Sequence, residues 1–177
     1  RLGLWEGTAS GYLNEWQSGS ISYEEFCRRD ARLWNGRSVR EIEELLDEIA
    51  VNRHVERVVQ NLVSQRVPSI IISSGFRYVA ARIQKQCGWQ PLIIHANELV
   101  EGPDVRINVS GDWSSPISKK ALAGRTLRSV GATWSQTLVV SDTPRDLEQL
   151  CDCRFQILVR EEDDLLRVND YLAGRDD

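Results

Sequence analysis

Three short segments of this 177-residue chain concentrate side chains able to hold an anion or a cation. The first is Ser73-Ser74-Gly75-Phe76, directly after the apolar run Ile70-Ile71-Ile72. A hydroxyl and backbone amides where a helix begins make a ready anion site, because amides there lack intrahelical acceptors. An ordinary Ser cap with Gly for a tight turn would use the same residues. The second is Asp142-Thr143-Pro144-Arg145-Asp146, after Leu138-Val139-Val140-Ser141. An aspartate at a strand end and another in the following helical turn can share a cation or its water shell. Acids also suit a helix N-terminus, and Thr143 with Asp146 three residues on is a near capping box. The third is Ser115-Pro116-Ile117-Ser118-Lys119-Lys120. Two Lys in a first helical turn oppose the helix dipole, which an anionic partner would explain and a solvated surface would tolerate.

These segments need a frame. The first third of the chain reads as helices. Tyr12, Leu13 and Trp16 share a helical face and Gly19 follows as a stop. Ser22 caps a segment with Tyr23, Phe26, Ala31, Leu33 and Trp34, which ends at Asn35-Gly36. Ser38-Val39-Arg40-Glu41 fits a capping box that opens a helix with Ile42, Leu45, Leu46 and Ile49 on one face. Val55, Val58, Val59 and Leu62 continue at helical spacing toward Arg66, and no strand is expected before residue 67. From there strands and helices alternate. Strands are expected at 67–72, 92–94, 137–140 and 155–159, with a possible hairpin at 105–109. Helices are expected at 76–87, from Ser115-Pro116, from Thr143-Pro144 and at 163–172. Such alternation implies an α/β fold with a parallel sheet covered on both faces. The expected division is a helical block at 1–66 and an α/β core at 67–177. In an open parallel sheet, ligands bind beyond the carboxyl ends of the strands, where Ser73 and Asp142 fall.

Composition narrows the function classes. A formal charge of −4 argues against a nucleic-acid partner, and no apolar run approaches a bilayer span. Cys27, Cys87, Cys151 and Cys153 form no pair of C-x-x-C hooks, and His54 and His95 are too isolated to complete a zinc site. Reduced thiols in a cytoplasmic protein are expected, with Cys151-Asp152-Cys153 as a redox pair the alternative. The chain has no signal-peptide pattern, and it contains no Met, from which we expect its natural start to lie upstream.

The order of these segments (a strand ending in Ser, a Lys on a later helix, a strand ending in an Asp pair) resembles the haloacid dehalogenase superfamily in its phosphoserine-phosphatase-like branch. Ser73-Ser74-Gly75-Phe76 resembles the second motif, usually Ser-Gly-Gly-Phe. Lys119 resembles the third-motif Lys, with Lys120 a close competitor. Asp142-Thr143-Pro144-Arg145-Asp146 resembles the fourth motif, commonly Asp-Gly-x-Asn-Asp, and departs from it at Thr143-Pro144-Arg145. His95-Ala96-Asn97-Glu98-Leu99 is similar to the segment after the family's next strand, and the helical block to its cap.

The first motif, Asp-x-Asp-x-Thr/Val, is absent; Leu4-Trp5-Glu6-Gly7-Thr8 does not supply it. The resemblance implies a Rossmannoid parallel sheet and a Mg²⁺-dependent phosphomonoesterase working through an aspartyl-phosphate. Asp142 would hold Mg²⁺, with Asp146 as a weaker ligand or orienter. Ser73 and the amides of Ser74 and Gly75 would hold phosphoryl oxygens, and Lys119 would neutralise their charge. The expected substrate is a small phosphorylated metabolite, with Arg28, Arg29 and Arg32 as candidates for a substrate carboxylate. A degenerate relative serving as a scaffold, a phosphotransferase or mutase of the same superfamily, and an unrelated flavodoxin-like domain are the alternatives. The family's first-motif strand runs between the strands ending at Ser73 and Val140. We therefore expect either a strand outside these residues or direct pairing of those two strands.

Overall fold

The computed structural model describes residues 5–34, 36–108, 118–150 and 152–174. A single π-helical turn at Trp5–Ala9 leads into α1 (Ser10–Gln17), which ends before Gly19 at φ +78°. Helices α2 (Tyr23–Arg32) and α3 (Val39–Asp47) start as their sequences require. Ser22 Oγ accepts the Glu25 amide at 3.1 Å. Ser38 Oγ accepts the Glu41 amide at 3.2 Å, while Glu41 Oε2 takes the Ser38 amide at 2.8 Å. Each bond satisfies a donor that the first turn leaves without a carbonyl. Trp16 stacks on Phe26 at 5.6 Å and meets Tyr23 at 5.1 Å, so α1 and α2 close on each other through aromatic rings.

Helix α4 (Val55–Ser64) carries Val58 into a core shared with Ile157, Val168 and Leu172. It therefore packs into the α/β layer. Helix α3 is tied to the layer differently. Arg82 donates to the carbonyls of Leu46 and Ile49 at 2.7 and 2.8 Å, at and just beyond the end of α3, the Leu46 carbonyl also accepting the Ile49 amide at 3.2 Å. Tyr78 Oη adds a bond to Asp47 at 2.8 Å.

Strand β1 (Ile70–Phe76) pairs in parallel with β2 (Ile93–Val100), the two joined by α5 (Arg77–Cys87). Gly88, left-handed at φ +68°, ends α5. β3 (Arg106–Asn108) folds back antiparallel on the end of β2. After α6 (Ser118–Ser129), β4 (Leu138–Ser141) runs parallel to β5 (Phe155–Leu158), with α7 (Pro144–Gln149) between them. α8 (Arg167–Ala173) closes the chain behind a 3-10 turn at Glu162–Leu166. Leu138 packs toward α4 and α8, whereas Val139 packs with Ala123 of α6 and with Leu150. Helices thus cover both faces, as the alternation demanded.

The strands form two sheets: β1-β2-β3 and β4-β5. Among the described residues, β1 and β4 each have a ladder partner on one side only. α6 spans the interval between them. Ile72 of β1 and Val139 of β4 both pack on the cluster that holds Ala123. Ile72 also packs with the cluster containing Leu122, while Lys119, one turn earlier, meets Asp146 just beyond β4. Both strands therefore end toward the N-terminal end of α6.

Several expectations need correction. The expected strand at 67–72 begins at Ile70 and runs through Phe76, so α5 starts at Arg77 rather than at Phe76. Pairing with β2 shifts from Ile72↔His95 to Phe76↔Asn97, so Ser73, Ser74 and Gly75 form a bulge within the strand and are not a helix cap. The strand expected at 92–94 continues to Val100, because a polar stretch can pair with β1 and β3 through backbone alone. The helix expected at 163–172 is a 3-10 turn followed by α8. The sheet is mixed at β3, and Val140 is 41% exposed, so β4 is not buried on both faces. Ser115-Pro116, expected to open α6, lies outside the described residues.

Candidate functional site

The bulge in β1 exists because the backbone must leave the ladder between two regular pairs. Gly75 suits it: its amide donates to Ser73 Oγ at 3.0 Å, and a Cβ at residue 75 would lie 3.2 Å from that same Oγ. A larger residue would push the hydroxyl away. Ser73 is half-buried, while Ser74 and Gly75 are exposed at the end of the sheet. The α5 N-terminus has no side-chain cap, so its first amides are not consumed by one.

Across the interval, β4 ends at Ser141, Asp142 follows it, and α7 begins at Pro144, its missing amide costing nothing in a first turn. The near capping box does not form. Thr143 makes no side-chain cap and instead donates its hydroxyl to Asp142 Oδ1 at 3.1 Å. Asp146, at a helix start for the dipole reason, accepts Lys119 Nζ at 2.6 Å and Ser141 Oγ at 3.1 Å, both on Oδ2. The Lys119 and Asp146 side chains are only 19% and 18% exposed. Lys120, one residue on, turns to Asp152 at 2.7 Å and is twice as exposed as Lys119, at 39%. Of the two candidate lysines, Lys119 is therefore the one at the strand ends.

A cleft holding about 150 Å³ of water-accessible space lies between the half-sheets. Ile70 and Ile72 line one side and Leu138–Ser141 the other, with Ala123 and Leu127 along α6 and Lys119 and Asp146 among its polar residues. Its apolar walls are the facing edges of β1 and β4. Ser73 directly continues one wall in sequence and Asp142 the other.

The carboxylates suit a hard cation. The bonds above leave one oxygen of Asp142 and one of Asp146 outside them, and Asp142 is exposed. Mg²⁺ is commonly held by one or two carboxylates, its remaining ligands being waters and phosphate oxygens, so this donor pair fits it. Among the described residues, no group of three or more His, Cys, Asp and Glu converges.

The arginines named for a substrate carboxylate are differently placed. Arg28 and Arg29 both bind Glu25, at 2.6 Å each, and Arg29 also reaches Glu15 at 2.9 Å. These contacts hold the Glu25 carboxyl below its usual range. Arg32 is exposed on α2. None of the three lines the cleft.

Sequence reading gave no role to the groups behind the bulge. Asn97, 1% exposed, donates to the Ser74 carbonyl and to Tyr23 Oη, each at 2.9 Å. Burial, with Cys27 beside it, lifts the Tyr23 phenol above its usual range, and burial pushes the Cys27 thiol up to about 11. Behind β2, His95 meets Thr126 Oγ1 at 3.1 Å. Burial and the charges of Arg125 and Arg77 lower its pKa from 6.5. A buried Asn within a strand is the signal that could have drawn attention to this layer.

No family model matches this sequence, and no curated protein matches it. Solved structures do match its shape. A phospho-aspartyl intermediate analogue of phosphoserine phosphatase aligns with TM-score 0.67 and 16% identity, over 92% of this chain and 78% of that one. A substrate-bound phosphoserine phosphatase complex aligns at 0.65 and 18%, over 86% and 72%. A HAD family hydrolase from Salmonella enterica subsp. enterica serovar Typhi aligns at 0.64 and 11%, over 84% and 51%. Among the described residues, no helix is long and apolar enough to cross a membrane. The chain shares its fold with these phosphoserine phosphatases and this HAD family hydrolase.

Proposed function

We propose that this chain is the cap and most of the core of a Mg²⁺-dependent phosphomonoester hydrolase acting on a small phosphorylated metabolite. The observation that carries the reading is the pairing of two half-sites. The Ser73–Gly75 bulge follows in sequence the Ile70 and Ile72 wall of the cleft, and the half-buried Lys119–Asp146 pair lines that cleft just beyond β4.

Each residue has a task that its surroundings support. Ser73 Oγ and the Gly75 amide, now bonded to each other, separate to take phosphoryl oxygens. Lys119 supplies positive charge within a partly desolvated site, where it is worth more than in water. Asp146 holds the ammonium in place. Asp142 is the better-placed cation ligand, since its carboxylate is exposed and one of its oxygens is outside the Thr143 bond. A bound Mg²⁺ would supply charge neutralisation at the phosphoryl group.

The nucleophile is assigned to a strand that lies between β1 and β4. Both facing edges are apolar and without ladder partners among the described residues, which supports an extended segment there. A parallel strand ending level with Ser73 and Asp142 would place its terminal acid within the same polar cluster. The likeness supports an aspartate there as the carrier of the phosphoryl group.

Titration of the chain with inorganic phosphate, followed by amide resonances, tests the cradle. Saturable shifts at 73–77 and 119–120 are expected, weakened in Ser73→Ala and Lys119→Ala. Shifts absent from both segments would refute it.

A further inference from the structure

We propose that Asn97 and Tyr23 are positioning residues that set the direction of the Gly75 amide; this deepens the phosphate reading and rests on it. A trans peptide is planar, so its carbonyl and its N–H point in opposite directions. The Ser74 carbonyl is held inward by two donors, Asn97 Nδ2 at 2.9 Å and Tyr23 Oη at 3.4 Å. The other side of that same peptide is the Gly75 N–H. It is thereby turned away from the interior, toward Ser73 Oγ at 3.0 Å.

Without these donors nothing in the ladder would fix this peptide. The β1–β2 pairing resumes only at Phe76↔Asn97, leaving Ser73 to Gly75 unregistered. A bulge peptide of this kind can rotate, because flanking torsions compensate and Gly75 offers little steric resistance. Asn97 removes that freedom from a buried position in β2. Its second donor bond, to Tyr23 Oη at 2.9 Å, orients the phenol, whose own proton is shared between the Ser74 carbonyl at 3.4 Å and Cys27.

Tyr23 belongs to α2, in the helical block, and is 3% exposed within the cluster of Cys27 and Leu122. The seating of the helical block on the core thereby becomes part of the phosphate cradle. A shift of α2 would remove one of two bonds on the Ser74 carbonyl and loosen the amide that faces the ligand.

The test is a phosphate titration of the ¹⁵N-labelled chain, comparing the parent with Asn97→Ser and Tyr23→Phe. Losing one oriented donor from an anion should raise the phosphate Kd roughly tenfold in Asn97→Ser. Its Gly75 amide should lose most of its response while amides of α5 keep theirs, a separation that general loosening would not give. Tyr23→Phe keeps the ring in its cluster and should show a smaller loss of the same kind; it decides the matter if Asn97→Ser does not fold. Parent-like affinity and Gly75 response in the folded variants would overturn the proposal. If the parent itself ignores phosphate, the phosphate reading fails instead. The positioning role is then read from Gly75 hydrogen exchange in the free chain: faster exchange in the variants supports it and unchanged exchange overturns it.

Discussion

Replacing Lys119 and replacing Asp146 should move phosphate affinity in opposite directions. Their charges are 2.6 Å apart and about four-fifths buried. With an effective dielectric near 20, the attraction is about 6 kcal/mol before hydration is subtracted. Lost hydration removes most of this, leaving a net coupling of about 1–3 kcal/mol. In the ligand-free chain Lys119 is therefore largely neutralised by its partner. Lys119→Ala deletes the only ammonium on the cleft wall among the described residues and should weaken inorganic phosphate binding roughly tenfold. Asp146→Asn keeps an acceptor for Ser141 and Lys119 but removes the negative charge. The ammonium then faces the anion uncompensated, and phosphate should bind about threefold tighter or better. The double variant should resemble Lys119→Ala. Calorimetric titration with chelator present keeps divalent ions out of the comparison. Weaker binding in Asp146→Asn, or unchanged binding in Lys119→Ala, would refute this reasoning.

Three further outcomes are expected. Ser38→Ala removes the Oγ acceptor of the α3 capping box while keeping the residue-38 amide bond to Glu41, and should cost about 1 kcal/mol in urea denaturation, with Glu41→Ala, which removes the other half, costing a similar amount. Arg82→Ala removes the guanidinium bonds to the carbonyls of Leu46 and Ile49, of which Leu46 keeps the Ile49 amide, and should cost about 1–2 kcal/mol, with faster hydrogen exchange confined first to the end of α3. His95 has a folded pKa below 6.5, so the unfolded chain binds its proton first as pH falls. Its contribution is complete above 6.5 and is lost on acidification from there toward the folded pKa. Urea midpoints of His95→Gln should accordingly fall less than those of the parent between pH 7 and 5.

Most elements were legible because local chemistry decides them. Ser22 and Ser38 announce helices, Gly88 stops one, and Pro144 opens one, each through bonds made within a few residues. The bulge was not legible. Ser-Ser-Gly before an apolar helical stretch looks like a cap, and only the position of Asn97 on the neighbouring strand shows that Phe76 rejoins the ladder. Lys119 and Lys120 could not be separated by spacing, since both sit in one helical turn. Their partners separate them: Asp146 begins α7, whereas Asp152 lies in the loop before β5. Tyr23 looked like core, and Asn97 fell after the strand expected at 92–94. Their joint hold on Ser74 joins positions 51 and 23 residues from it, a separation no local pattern reveals.

The proposed function requires this fold to hydrolyse phosphomonoesters once a nucleophile-bearing strand lies between β1 and β4. The direct measurement is hydrolysis of p-nitrophenyl phosphate, with and without Mg²⁺, by the chain supplied with an apolar strand ending in Asp-x-Asp. The account predicts Mg²⁺-dependent turnover that disappears when the strand's first Asp becomes Asn and falls about 10²–10³-fold in Lys119→Ala. A strand that protects the facing amides of both Ile70–Ile72 and Leu138–Val140 from exchange, yet yields no hydrolysis, would contradict it.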